Sequence, residues 1–150
     1  MLSFEELCME RILVGVDPRE TSLAPGIHAV NLAKRIQAKV YVLLVNRPGD
    51  LPRPPGSPGE SLVRRLEKLI DQARSEGLPL EYFVTEGSFE SETIRFIQEQ
   101  GITLLVVGQP GDGETSQKDF RKTLENIRLR VDCHIEVVHQ RDQSLAMEGK

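Results

Sequence analysis

Thr103-Leu104-Leu105-Val106-Val107-Gly108-Gln109-Pro110-Gly111 is the stretch that decides the fold. Its apolar run shows no alternation, so both faces of the strand it forms are to be covered, as at the centre of a parallel sheet. Gly108 marks where the strand stops. Gly111 and Gly113 keep the loop that follows free of Cβ atoms, which leaves its backbone N–H groups open to close approach by a ligand. Ligands of open α/β sheets bind beyond the carboxyl ends of such strands. A small-molecule site is expected here if the chain has one.

Working outward, further strands and helical stripes alternate. The β-branched run Arg11 to Val16 ends at Asp17-Pro18, a strand-stop signal. Thr21 or Ser22 is placed to cap a helix with Pro25 in its first turn and an apolar stripe of Leu23, Ile27, Val30 and Ala33. Lys39 to Val45 is a second strand, apolar on both faces. The proline-rich loop Arg47 to Gly56 follows, suited to lie over the carboxyl edge of the sheet. Ser57, Pro58 and Glu60 form a capping box before Leu62, Leu66, Leu69, Ile70 and Ala73, and Gly77 ends that helix. Leu80 to Thr85 reads as an edge strand. Ser88 then caps a helix carrying Phe89, Thr93 and Ile97 that stops at Gly101. Beyond the glycine loop Ser116 is expected to open a last helix, with Phe120, Leu124, Ile127 and Val131 on one face, before a closing strand from Cys133 to His139. This alternation implies a single α/β domain with a parallel sheet, right-handed crossovers and helices on both faces. Residues 1–10 form an N-terminal extension, 11–139 the domain, and 140–150 a polar tail.

The net charge of −4, with both signs mixed along the chain, argues against nucleic acid, which calls for a basic stripe. Cys8 and Cys133 are far apart and lack metal-ligand spacing, which fits free thiols in a reducing compartment. Glu5 and Glu6 stand where a signal peptide carries positive charge, and no apolar run approaches the ~20 residues of a membrane span. A cytoplasmic location is expected.

Chemistry is sparse. Asp17, at the carboxyl end of the first strand, either accepts hydrogen bonds from a ribose or adenine amino group or caps the next helix; one residue can do both. Gly108 to Gly111 either brings backbone N–H groups to a ribose or phosphate or is a plain turn. Arg121 and Lys122, near the start of the last helix, either attract an anion or form a solvated face. His28, His134 and His139 have no metal spacing, and His134 and His139 fall on opposite faces of their strand. No nucleophile elbow, Walker A loop, HEXXH or dinucleotide GxGxxG is present. No catalytic constellation emerges.

From residue 10 to 139 the chain resembles a universal stress protein domain. The resemblance is carried by Ile12-Leu13-Val14-Gly15-Val16-Asp17, by Ala33 to Val40, by Glu86-Gly87-Ser88, by Leu105-Val106-Val107-Gly108 and by the closing strand. It implies a Rossmann-like five-stranded parallel sheet of order 3-2-1-4-5 and a homodimer formed through the last strand. Nucleotide-binding members carry G-x2-G-x9-G-[ST] after the fourth strand. There the first two glycines approach the ribose, the last pair holds the phosphates, and the aspartate and the start of the second strand hold the adenine. Carried over, these positions are Asp17, Val40, Gly108 and Gly111. The final pair is Arg121 and Lys122 in this sequence. Arg121 is bulky where close backbone approach is needed, and Lys122 lacks the small hydroxyl, although as a point charge it is a further candidate phosphate contact. Losing two or three phosphate hydrogen bonds at about 1.5–3 kcal/mol each weakens triphosphate binding by orders of magnitude.

The sequence therefore points to a non-enzymatic regulatory or interaction module in stress adaptation. It is expected to be homodimeric, to have no cofactor and to act on an unidentified protein partner. The alternative is a sensor binding ATP or AMP at Asp17, Gly108 and Gly111. A phosphoanhydride hydrolase is a third class, weakened by the absence of a base or metal ligands beyond Asp17.

Overall fold

A computed structural model describes residues 10–18, 22–49, 51, 53–110 and 114–139. Five strands, β1 (Arg11–Val16), β2 (Lys39–Asn46), β3 (Leu80–Glu86), β4 (Leu104–Gly108) and β5 (His134–Val138), alternate with four helices, α1 (Ala24–Ile36), α2 (Pro58–Ser75), α3 (Phe89–Gln100) and α4 (Glu114–Arg130). The strands form one parallel sheet of order β3-β2-β1-β4-β5, as the resemblance implied.

Strand periodicity splits the core into two layers. Ile12, Val14, Val16, Val40, Val42, Leu44 and Val106 face α1 and α2, against Ala29, Val30, Ala33, Leu62, Leu66, Ile70 and Ala73. The intervening residues Leu13, Tyr41, Leu43, Val45, Leu105 and Val107 face α3 and α4, against Ile94, Ile97, Leu124 and Ile127. Each central strand is thus buried on both sides, which is why its sequence lacks alternation. β3 and β5 close the sheet at its two edges and alternate in exposure.

Most helix ends follow their sequence signals. Ser57 Oγ accepts from the Glu60 N–H at 3.2 Å, and Ser88 Oγ accepts from the Ser91 N–H at 3.0 Å. Gly77 and Gly101, at φ +92° and +66°, supply the left-handed residues that end α2 and α3. Four expectations are corrected. Leu23 is the N-cap of α1 and makes no side-chain cap, while Ser22 Oγ instead takes the Ala24 N–H at 3.0 Å; Thr21 lies outside the described residues. Glu60 reaches past Ser57 to the Gly56 N–H at 2.6 Å, because the Ser57 N–H is already donated to the Pro54 carbonyl. The last helix begins at Glu114, before Ser116. The closing strand ends at Val138, so His139 stands beyond it and the two histidines do not share a strand.

Candidate functional site

The carboxyl ends of the strands form the edge where a ligand of this kind of sheet is held. Val16 pairs with Leu44 of β2, which puts Asp17, half-buried just past β1, level with Val45. On the other side Val14 pairs with Val106, and the same register brings Val16 level with Gly108 at the end of β4. Asp17 and Gly108 therefore come together across the β1–β4 boundary, where the strand order reverses.

Val40 does not join them. It pairs with Ile12 at the amino end of the sheet and is fully buried. Four residue steps carry the strand from Val40 to Leu44, about 13 Å at the rise of a parallel strand. The position in β2 that lies level with Asp17 is Val45. Counting back from the end of the strand, in place of forward from its start, is the sequence signal that identifies it. Gly111 lies outside the described residues.

The backbone beside Gly108 is partly committed. The Gln109 N–H donates to the Val138 carbonyl at 3.0 Å, tying the start of the loop to β5. Arg121 and Lys122 are exposed, and they sit well inside α4, the eighth and ninth residues counted from Glu114. This corrects their expected place near the helix start. Only the first turn of a helix has free N–H groups and the positive end of the dipole. At Arg121 and Lys122 the backbone N–H groups belong to the helix's own ladder, so backbone contact with a phosphate there requires unwinding.

The proline-rich loop does reach the carboxyl edge. Asn46 ends β2 almost fully buried, at 1% exposure, and its Oδ1 accepts a hydrogen bond from the Arg53 guanidinium. The Asn46 carbonyl accepts the Gly87 N–H at 2.8 Å, so this residue ties the loop and the β3–α3 turn to the end of β2. Arg53 also packs against Gly59, where a Cβ would stand 3.3 Å from its Nε and 3.4 Å from the Pro18 carbonyl. Sequence reasoning missed Asn46 and Arg53; the one available signal was a lone polar residue closing an apolar strand.

Elsewhere the titratable groups serve structure. His28 Nε2 lies 2.9 Å from Glu136 Oε1, joining α1 to β5. Burial pushes the Cys133 thiol above its usual value. At the amino edge a cleft of about 380 Å³ between the ends of α1 and α2 is bridged by Lys34 and Glu76, and the Lys34 hydrogen bond holds the Glu76 carboxyl below its usual value. Among the described residues no group of histidine, cysteine and carboxylate side chains is arranged to hold a metal, and no helix is long and apolar enough to cross a membrane.

A parallel five-stranded sheet with its order reversing at β1 and β4, an acidic residue at that boundary and a glycine ending the neighbouring strand define a doubly wound, Rossmann-like α/β protein. Within that class the chain belongs to the universal stress protein family, whose family model matches residues 9–139. A universal stress protein of Methanocaldococcus jannaschii is 22% identical over 138 residues, covering 86% of this chain and 81% of that protein. Among solved structures, a universal stress protein in complex with cAMP superposes with a TM-score of 0.64 at 20% identity, covering 87% of this chain and 97% of its own. A universal stress protein from Archaeoglobus fulgidus in complex with dAMP gives 0.53 at 15% identity, covering 86% and 96%. At these identities the structural likeness is one of fold.

Proposed function

We propose that this chain is a non-catalytic regulatory module in stress adaptation that acts in the cytoplasm as a homodimer and does not hold ATP by the family's phosphate loop. The observation that carries this reading is the helical placement of Arg121 and Lys122. The residues that stand in for the motif's last Gly-Ser/Thr pair have their amides inside α4. The tethering of the Gln109 N–H to β5 supports it, since it withdraws one further donor. The dimer would form along β5, the terminal strand of the sheet, where Ile135 and Val137 are only half-buried.

The test is denaturing extraction of freshly purified protein with mass spectrometry, then calorimetric titration with ATP and AMP. No extracted nucleotide and no heat at millimolar ligand is the expected result. Near-stoichiometric nucleotide would overturn it. Mass in solution checks the dimer, and a monomer at micromolar concentration would count against it.

A second reading has its own support. Asp17 and Gly108 meet at the carboxyl edge, and two of the structural relatives are complexes with cAMP and dAMP. On this reading the chain senses AMP or a similar molecule through its adenine and ribose, with little help from phosphate contacts, and Lys122 contributes as a point charge. Asp17→Ala would then abolish binding, whereas the first reading expects no change.

A further inference from the structure

The exposed face of α4 combines clustered cations with an exposed leucine. Lys118, Arg121, Lys122, Glu125, Arg128 and Leu129 fall at i, i+3, i+4, i+7, i+10 and i+11, which sets them on one side of the helix. All six are exposed, and Leu129 is 81% exposed. The opposite side carries Leu124 and Ile127, which are buried against the sheet. Four of the six are cations and one is an acid, in a chain whose net charge is −4. Among the described residues the ion pairs elsewhere join cations to neighbouring carboxylates, and none involves these four. Among the described residues this cationic stripe, with a protruding leucine at its carboxyl-terminal end, is thus left without an ion-pair partner.

We infer that this face of α4 is a docking surface for an acidic polypeptide segment, one that sets carboxylates against Lys118, Arg121, Lys122 and Arg128 and covers Leu129 with an apolar side chain. Charge complementarity selects the acid, and the exposed leucine selects a partner with apolar side chains over a bare polyanion. The stripe from Lys118 to Leu129 is only about 17 Å long, a few helical turns, which suits one short segment. The overall negative charge of the chain opposes long polyanions and extended anionic surfaces, whose reach exceeds the stripe by more than a screening length of about 8–10 Å. Arg121 and Lys122 thereby gain a role: the two residues that spoil the phosphate motif belong to the binding stripe.

The inference rests on the reading of the chain as an interaction module, and its test is independent of nucleotide. The probe is a fluorescein-labelled peptide of about twelve residues built from glutamate with leucine at helical spacing, followed by anisotropy at about 20 mM and about 150 mM salt, the range over which screening grows. Saturable binding that weakens with salt is expected. Arg121→Glu with Lys122→Glu should weaken it about tenfold or more, and Leu129→Ser severalfold, with circular dichroism unchanged because all three positions are exposed. Equal affinity in the charge-reversed protein, no saturable binding, or tighter binding of duplex DNA or phosphatidylserine vesicles than of the peptide would each overturn the surface. Nucleotide found in the purified protein would overturn the module reading and leave the peptide result standing.

Discussion

The ring of Phe89 occupies the space over Gly15: a Cβ built on Gly15 would lie 2.9 Å from the ring's Cζ and 3.3 Å from its Cε1. Gly15 is on the face of β1 that looks toward α3, and Phe89 is the first residue of that helix. The missing side chain therefore sets how closely the start of α3 approaches the sheet beside the carboxyl edge. Gly15→Val is expected to cost about 1–3 kcal/mol by overpacking. Adding Phe89→Leu should recover part of that loss, because the two sites are in contact. Strict additivity in denaturant unfolding would refute the coupling.

Thr93 predicts the opposite sign. Its hydroxyl is fully buried in α3, and Oγ1 has no hydrogen-bond partner among the described residues. Replacing a buried unsatisfied group by an apolar one of the same shape removes a desolvation penalty. Thr93→Val should be neutral or stabilising by up to about 1 kcal/mol. A clear fall in the unfolding midpoint would reveal a partner for the hydroxyl.

Arg53→Ala takes the donor from the buried Asn46 side chain. An orphaned buried acceptor costs about 1–3 kcal/mol, and cleavage by protease between 47 and 56 should quicken as the loop loses its anchor. Arg64→Ala is the control. That guanidinium is 68% exposed and pairs with Glu60 across one helical turn, an arrangement worth no more than about 0.5 kcal/mol. Equal effects of the two substitutions would remove Arg53 from its place as the anchor.

The Lys34–Glu76 pair makes a pH prediction. The Lys34 hydrogen bond lowers the Glu76 pKa from 4.5, so the pair supports the fold fully above pH 4.5, and this support is lost as pH falls through the lower folded midpoint. Carbon-detected NMR titration should place the Glu76 midpoint below 4.5, and Lys34→Gln should raise it. An unchanged midpoint in the variant would assign the shift to another cause.

The sheet was readable because the central strands lie buried on both faces, and unbroken runs such as Val106-Val107 then stand out against the amphipathic stripes of the helices. Helix ends with a local chemical cause are readable too: the hydroxyls of Ser57 and Ser88 accept a helix N–H, and Gly77 and Gly101 supply the left-handed residue. The site was less so. Asp17 and Gly108 each terminate a strand and are legible for that reason, whereas Val40 comes from the resemblance, which implies the start of the second strand, and only the register of β1 on β2 places it at the amino end of the sheet. The Asn46–Arg53 contact spans a loop whose prolines and glycines carry no periodicity, so sequence alone gives no measure of where Arg53 points. The early start of α4 is not legible, because Ser116 has the chemistry of a cap and Glu114 is an equally good first-turn residue.

That early start has a consequence for energetics. To reach phosphate with the amides near Arg121 and Lys122, the segment from Glu114 onward would have to melt, so any affinity gained by this route would carry the helix–coil free energy of those turns as a deduction. Nucleotide would then behave as a local denaturant of α4, lowering far-UV helical signal as it bound. Glycine placed in the first turns of the helix would strengthen such binding, and a stronger helix former would weaken it. Where nucleotide-binding members carry a Gly-Ser/Thr pair, this chain has a strut, and its response to a ligand is set by how firmly that strut holds.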